Sequence, residues 1–177
     1  MGWSIAPVVP EVVYHYSEDP GITEFVPHVP ATNPRQPPRV WAIEPAYAPL
    51  YWFPRDCARV TVWAHDDGQR AVLRDTWGGA TPRLHFTSPT AEAALHDTVL
   101  HEYAFAPGPF SPWPEAEGQW VADATVRPVA VRPVGDLVAA HSAAGVELRF
   151  DPDLDARRDE VVASGLPFSI VRWSARV

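Results

Sequence analysis

Residues 12–21 read VVYHYSEDPG, a run of β-branched and aromatic residues that ends in turn-forming ones. Valine and tyrosine favour extended backbone, so residues 12–16 predict a short β-strand. Residues 17–21 contain Ser, Asp, Pro and Gly, which stop a strand with turn chemistry. The folded part of the chain is therefore expected to begin with a strand near residue 12, and residues 1–11 to form a flexible extension.

Short strand and helix patterns follow along the rest of the chain. The prolines between residues 27 and 38, and again between residues 106 and 118, predict irregular loops, and the glycine-rich region 68–82 predicts another. About eight short strands and about four short helices in this mixed order indicate an α+β domain with a split or mixed sheet. Further strands are predicted at 40–43, 59–64, 83–86, 100–105, 119–121, 126–134, 146–150 and 168–173, and helices at 45–53, 90–96, 136–142 and 153–164.

Composition limits the classes of protein. A chain of 177 residues suits one domain, expected over residues 12–177. The net charge of −8, with no lysine, argues against non-specific nucleic-acid binding. No apolar run approaches a membrane span and the first residues lack a secretory signal, so no membrane association is expected. One cysteine suits a reducing compartment, and a cytoplasmic location is expected.

Aromatic residues and one arginine suggest where a ligand binds. Eight tryptophans are many for a domain of this size, and Trp41 and Tyr51 are candidates for the walls of a cleft around a flat heterocycle. The alternative is that these rings fill the core. Arg39 directly precedes the second predicted strand and is a candidate for gripping a pyrophosphate; the alternative is a solvated arginine beside a proline-rich loop.

Other chemistries find no support in the sequence. His96 and His101 are spaced unlike any zinc motif, and Cys57 has no cysteine partner, so no metal site is predicted. Cys57 also has no histidine close in sequence to activate it as a nucleophile. Motifs for a serine hydrolase, a dinucleotide-binding turn and a phosphate-binding loop do not occur.

Several segments together resemble an uncharacterised bacterial family of small domain-of-unknown-function proteins. The resemblance lies in the opening YHYSEDPGI at 14–22, in VWAI at 40–43 and APLYWFPR at 48–55, and in the later segments GDL at 135–137 and GVELR at 145–149. It extends over nearly the whole chain from residue 12 onward and implies no activity by itself.

More distantly, the order of these segments is similar to the ADP-ribosyltransferase fold. That resemblance implies NAD as a co-substrate, with His15 contacting a ribose in a motif that includes Tyr14 and Ser17. Trp41 and Tyr51 would enclose the nicotinamide. The fold usually has a catalytic glutamate on a later strand, where this chain has Gln119; Glu117 or Glu115, close by in sequence, would then supply the carboxylate.

The function implied by the resemblance is NAD-dependent ADP-ribosyl transfer to a small molecule or a protein. Two alternatives stay open: a tailoring enzyme that uses an aromatic-lined cleft on a metabolite without NAD, and a non-catalytic relative that only binds a ligand. All three require a small-molecule site. On the NAD hypothesis, His15, Trp41 and Gln119 are expected to converge on one hollow.

Overall fold

The computed structural model describes residues 9–30 and 34–175, and within them the chain is a mixed α+β protein, as the sequence predicts. Residues 1–8 of the expected N-terminal extension lie outside the described residues. The strands are β1 Val13–Ser17, β2 Val40–Ile43, β3 Arg59–Trp63, β4 Arg83–Thr87, β5 His101–Phe105, β6 Ser111–Pro112, β7 Gln119–Ala122, β8 Ala130–Pro133, β9 Glu147–Phe150 and β10 Phe168–Val171; the α-helices are α1 Asp67–Trp77, α2 Glu92–Asp97, α3 Leu137–Ala143 and α4 Leu154–Ala163; and short 3-10 helices cover Pro45–Tyr51, Pro89–Ala91 and Trp173–Ala175.

The described chain divides into two compact units. The first comprises residues 9–30, 34–48 and 101–133, and the second comprises residues 49–100 and 134–175. Each unit holds one of two sheets. The expectation of one domain over residues 12–177 stays a prediction.

The first unit is an antiparallel sheet of six strands in the order β6-β7-β2-β1-β5-β8. Because side chains alternate along a strand, residues that are cross-strand partners share a face of the sheet. One face, the core face, is apolar and packs around Phe25, whose ring lies 5.1 Å from the rings of both Tyr103 and Phe105. The other buried members of this cluster are Val13, Val40, Ala42, Phe110, Trp120, Ala122 and Val126.

The opposite face of this sheet, here called the Tyr16 face, carries much of the polar chemistry. Tyr16 pairs with Glu102, and Glu102 pairs with Arg132. Tyr14 pairs with Ile43, and Ile43 pairs with Gln119. The antiparallel register then brings Trp41 level with Tyr16, so Trp41 also belongs to this face.

The second unit is a four-stranded sheet in the order β10-β3-β4-β9, with β4 and β9 parallel and the other pairs antiparallel. Its apolar cluster combines the sheet with α1 and α4. The buried members are Ala58, Val60, Val62, Leu73, Trp77, Leu84, Phe86, Leu154, Val161 and Leu166. None of the helices in the described residues has the length and apolar composition that crossing a membrane requires.

The prediction of a loop over residues 68–82 is wrong for residues 68–77, which belong to α1. Asp66 is the N-cap of this helix, since its side chain accepts a hydrogen bond from the backbone N–H of Gln69. Leu73 and Trp77, four residues apart, bury the inner side of the helix. Gly78 ends it with a φ of 65°, a conformation that glycine adopts without strain.

Other predicted elements differ mainly at their ends. The helix predicted to start at Thr90 begins at Glu92, after a short 3-10 turn capped by Ser88. The strand predicted over residues 126–134 is reduced to β8, and Val126 forms only an isolated bridge with Phe25. The helix predicted at residues 45–53 is a 3-10 helix that ends at Tyr51.

Candidate functional site

A row of four side chains crosses the Tyr16 face in the order Trp41, Tyr16, Glu102 and Arg132. Each belongs to a neighbouring strand, and neighbouring strands lie about 4.8 Å apart. The row therefore places an indole, a phenol, a carboxylate and a guanidinium side by side. This arrangement depends on the register of β2, β1, β5 and β8.

Glu102 is the charged centre of this row. Its side chain is 7% exposed, and Tyr16 donates a hydrogen bond of 2.7 Å to its Oε2. Arg132 donates from Nε to Oε1 at 2.7 Å, and its Nη2 lies at the same distance from that oxygen. A buried carboxylate with such partners is compensated in charge and in hydrogen bonds. The bond to Glu102 also raises the pKa of Arg132 above its ordinary value, which keeps the guanidinium charged.

Tyr14 lies on the same face, with its ring 6.3 Å from that of Tyr16. Burial raises the pKa of the Tyr14 phenol above its ordinary value, and the negative charge of Glu102 raises it further, against the opposing effect of Arg132. The phenol therefore stays protonated at neutral pH. A protonated phenol is a hydrogen-bond donor for an acceptor placed on this face.

A hollow of about 390 Å³ lies at the hairpin of β6 and β7, beside Glu44, and is here called the hairpin hollow. Trp120 donates from Nε1 to Glu44 Oε2 at 3.2 Å, and Tyr47 donates from its hydroxyl to Glu117 Oε2 at 2.9 Å. The lining carries two carboxylates and no basic side chain, which makes the hollow acidic as well as aromatic. The nine residues that line it are Glu44, Pro112, Trp113, Pro114, Ala116, Glu117, Gly118, Gln119 and Trp120.

Gly118 allows the hairpin to approach the segment that follows β2. Its φ is +72°, and an added Cβ would lie 2.3 Å from Cδ2 of Tyr47. Its carbonyl accepts a hydrogen bond of 2.8 Å from the backbone N–H of Glu44. No residue with a side chain fits this position without displacing the Tyr47 ring.

Arg39, Trp41 and Trp113 form a stack beside the hollow. The rings of Trp41 and Trp113 meet edge to face at 5.4 Å, and the Arg39 guanidinium lies 4.8 Å from the centre of the Trp113 ring. Arg39 Nε is also 3.6 Å from a carboxylate oxygen of Asp123. Nε1 of Trp41 is a buried donor with no hydrogen-bond partner among the described residues, and such donors are rare in folded proteins.

The structure brings together some of the residues predicted from the sequence. Glu117 and Gln119 line the hairpin hollow, and Trp41 and Arg39 contact Trp113, which lines it too. Gln119 is also on the Tyr16 face, where Tyr14 lies in the same row. Gln119 therefore belongs both to the lining of the hollow and to the Tyr16 face, while Trp120 alternates with it along β7 and packs into the core.

His15 is not among the residues that converge. It alternates with Tyr14 and Tyr16 on β1 and faces the core, where its ring lies 4.8 Å from Phe25. Its Nδ1 is 2.9 Å from the backbone carbonyl of Trp41. The expected meeting of the His15, Trp41 and Gln119 side chains in one hollow is therefore wrong, because the sheet separates His15 from the other two.

Neither Ser17 nor Tyr51 is among the residues that line the hollow. Ser17 is two residues beyond His15 on β1, on the same side of the strand, and its hydroxyl accepts a hydrogen bond of 3.2 Å from the backbone N–H of Asp19. Tyr51 belongs to the second unit. The individual roles assigned to His15, Ser17 and Tyr51 stay predictions.

Sequence reasoning missed the partners that give the site its chemistry: Glu44, Trp113 and Trp120 in the hollow, and Glu102 and Arg132 on the Tyr16 face. Glu102 carried one detectable signal, an acidic residue in the middle of the apolar strand pattern of β5. Within the described residues, no group of three or more His, Cys, Asp or Glu side chains is arranged to hold a metal ion.

Comparison with known proteins gave one match. The model of a family described as "Family of unknown function (DUF6886)" matches residues 14–175. No curated protein and no solved structure matches the chain. The match agrees with the expectation of an uncharacterised domain, and the similarity to ADP-ribosyltransferases stays a prediction.

Proposed function

The chain belongs to the DUF6886 family, whose function is unknown, and we propose that its first unit binds a small planar ligand in the hairpin hollow and along the Tyr16 face. The observation that carries this proposal is the shared position of Gln119, which joins an aromatic, acidic hollow to a row of hydrogen-bonding side chains. A concave site with aromatic walls and a few polar groups is the usual form of a small-molecule site.

The walls of the hollow favour a planar ring that carries positive charge. Trp113 is partly exposed and offers indole surface for stacking, and a cation is attracted to the face of an indole. Glu44 and Glu117 add negative charge at the same place. The unpaired donor of Trp41, beside Trp113, would be satisfied by an acceptor on the ligand.

NAD used as a co-substrate fits the charge of this lining, because its nicotinamide ring is planar and positively charged, although His15 does not meet Trp41 and Gln119 in the hollow. We propose ADP-ribosyl transfer to a small molecule or a protein as the reaction. The bond between the ribose carbon and the nicotinamide nitrogen breaks, its electron pair leaves with nicotinamide, and the acceptor forms the new bond and loses a proton. The Glu117 carboxylate would stabilise the positive charge on the ribose, and the Gln119 amide would hold a hydroxyl. His15 would act indirectly, by fixing the Trp41 backbone.

Replacing Glu117 with glutamine tests the role of the carboxylate. The amide keeps an oxygen that accepts the hydrogen bond from Tyr47, so the fold is expected to stay intact. Loss of the negative charge is expected to reduce the release of nicotinamide from NAD by about 100-fold or more, the size of effect seen when one group that stabilises a transition state is removed. Nicotinamide release is measured by chromatography.

Glu115→Gln is the matched control. Glu115 lies in the same loop and is exposed, but it does not line the hollow. Turnover within about twofold of the unmodified chain is expected, because the Glu115 carboxylate is exposed and its charge is screened by solvent. Equal losses in both variants would show that the general charge of the loop matters and not a carboxylate in the hollow.

Titration with NAD while following thermal unfolding separates the three functional hypotheses. A ligand present at about 100 times its dissociation constant stabilises the folded state by about 2.7 kcal/mol. Stabilisation with release of nicotinamide supports transfer, and stabilisation without release supports a binding protein. Stabilisation by an aromatic metabolite but not by NAD supports a tailoring enzyme. An unfolding temperature that responds to no planar ligand contradicts the proposed site.

A further inference from the structure

We infer that Arg132 anchors an anionic group of the ligand at the far end of the Tyr16 face from the hairpin hollow. This inference rests on the proposed function, since it assumes that the ring of the same ligand lies in the hollow. It adds that the ligand is elongated, with a planar ring at one end and phosphate or carboxylate oxygens at the other.

The hydrogen bonds of Arg132 leave part of its guanidinium available. Two of its nitrogens, Nε and Nη2, are directed at Glu102 Oε1. A guanidinium has five N–H donors in a planar fork, so the edge with Nη1 remains for another acceptor. The side chain is 71% exposed although its partner Glu102 is almost fully buried. Glu102 thus fixes the orientation of an arginine that still faces solvent.

Neighbouring residues on the Tyr16 face suit an anion at this place. The pairs beside the row, Tyr14 with Ala104 and Ala104 with Ala130, put two alanines next to Arg132. These small side chains leave room over β5 and β8. The protonated phenol of Tyr14 offers a second donor on the same face of the sheet.

The spacing of the strands sets the length of the ligand. Gln119, which lines the hollow, and Arg132 lie on strands β7 and β8, separated by β2, β1 and β5. Four spacings of about 4.8 Å place their backbones about 19 Å apart. A ring bound in the hollow and an anionic group bound at Arg132 therefore belong to an elongated ligand of dinucleotide-like length.

Arg132 is better placed for this role than Arg39, which the sequence suggested for a pyrophosphate. Arg39 is 22% exposed, stacks on Trp113 and lies near Asp123. Asp123 is itself 80% exposed, so Arg39 is held beside the hollow mainly by its stacking on Trp113. Arg132 shares its charge with a buried carboxylate and presents its free edge outward.

Calorimetric titration of the full chain tests the inference, with sodium pyrophosphate, succinate, ADP-ribose and nicotinamide as separate probes. In Arg132→Gln, the dissociation constants for pyrophosphate and ADP-ribose are expected to rise at least about tenfold, as for loss of a charge-assisted contact. The dissociation constant for nicotinamide is expected to stay within about twofold of its value in the unmodified chain. Tighter binding of pyrophosphate than of succinate would identify phosphate as the natural group, and the reverse would identify a carboxylate.

Arg127→Gln is the matched control, because Arg127 is an arginine of the same unit, 79% exposed and near Glu24. The Arg127→Gln variant is expected to bind each probe with the same affinity as the unmodified chain. Since Arg132→Gln leaves the buried Glu102 unpaired, Arg132→Lys and the double variant Glu102→Gln/Arg132→Gln are measured beside it. Lysine keeps the charge without the fork and is expected to weaken pyrophosphate binding less than glutamine does; the double variant is expected to bind no better than Arg132→Gln.

Several results would overturn the inference. An unmodified chain that binds nicotinamide but none of the three anions contradicts it and leaves the hollow as a ligand site. Equal losses in the Arg127 and Arg132 variants, or a double variant that recovers full anion affinity, contradict it as well. Failure of every probe, nicotinamide included, contradicts both this inference and the proposed function.

Discussion

Replacing Gly118 with alanine is expected to destabilise the chain by about 3 kcal/mol or more and to remove ligand binding at the hairpin hollow. A positive φ costs a residue with a side chain about 1 kcal/mol. The larger part of the effect comes from Tyr47, because the new Cβ would lie within 2.7 Å of three atoms of that side chain. Either Tyr47 or the hairpin must move, and both shape the hollow. Urea denaturation measures the loss of stability.

Gly145→Ala is the control for this variant. Gly145 has a φ of +68°, and an added Cβ there meets nothing within 4 Å. It is expected to cost only about 1 kcal/mol, which is the contribution of the backbone conformation alone. Tyr47→Gly in the Gly118→Ala background is expected to relieve the clash. Glycine is used at position 47 because the Cβ of Tyr47 itself would lie 2.7 Å from the new Cβ at position 118. Similar losses at the two glycines would show that the approach of Tyr47 is not the cause.

Acidification is expected to destabilise the second unit through a buried pair of histidines. The rings of His85 and His141 lie 5.1 Å apart, and each residue is at most 1% exposed. Burial lowers the pKa of His85 well below its ordinary value. The neighbouring His141, Arg59 and Arg83 lower this pKa further. Burial also lowers the pKa of His141 to about 4, against the effect of its bond to the Leu137 carbonyl.

The direction in which stability changes with pH follows from proton uptake on unfolding. Both imidazoles are neutral in the folded state and bind a proton in the unfolded state below an ordinary pKa of about 6.5. Stability is therefore complete above that pH and falls as the pH decreases toward 4. His141 alone accounts for a loss of about 3 kcal/mol over this interval, given its folded pKa of about 4. His85 adds to this loss.

The unfolding free energy measured from pH 7.5 to 4.5 tests this expectation. His141→Gln keeps a donor for the Leu137 carbonyl and is expected to flatten the dependence of stability on pH. His28→Gln is the control, because His28 is exposed, and it is expected to leave the slope unchanged. Equal slopes in the unmodified chain and the His141 variant would show that the buried pair does not titrate in this range.

Local signals in the sequence were sufficient for most elements. The strand predicted at residues 40–43 is confirmed with the same bounds. Asp136 and Asp153, placed at the starts of predicted helices, are N-caps whose side chains accept hydrogen bonds from backbone N–H groups three residues later. The exception is α1, where Asp66, Asp67 and Gly68 resemble a turn but form a capped first helical turn instead.

The candidate site depends on pairings that local signals do not contain. Alternation along β1 already separates His15 from Tyr14 and Tyr16, but the face on which Trp41 lies is fixed only by the register with β2. Glu102 and Arg132 are likewise partners through the pairing of β5 with β8. The aromatic excess pointed to Trp41, which contacts Trp113 at the hollow but is not among the residues that line it. The acidic lining from Glu44 became visible only with the β6–β7 hairpin in place.

The interleaving of the two units in the sequence has a consequence for how the protein forms during synthesis. Neither unit is one continuous piece of chain, so no single truncation isolates either of them. As the chain leaves the ribosome, β1 must wait for its partner β5, which follows only after residues 49–100 of the other unit have emerged. Pairing between strands that are far apart in the sequence forms slowly. β1 and β2 can pair with each other, but the edges that pair with β5 and β7 would meanwhile be exposed to chaperones and to other nascent chains.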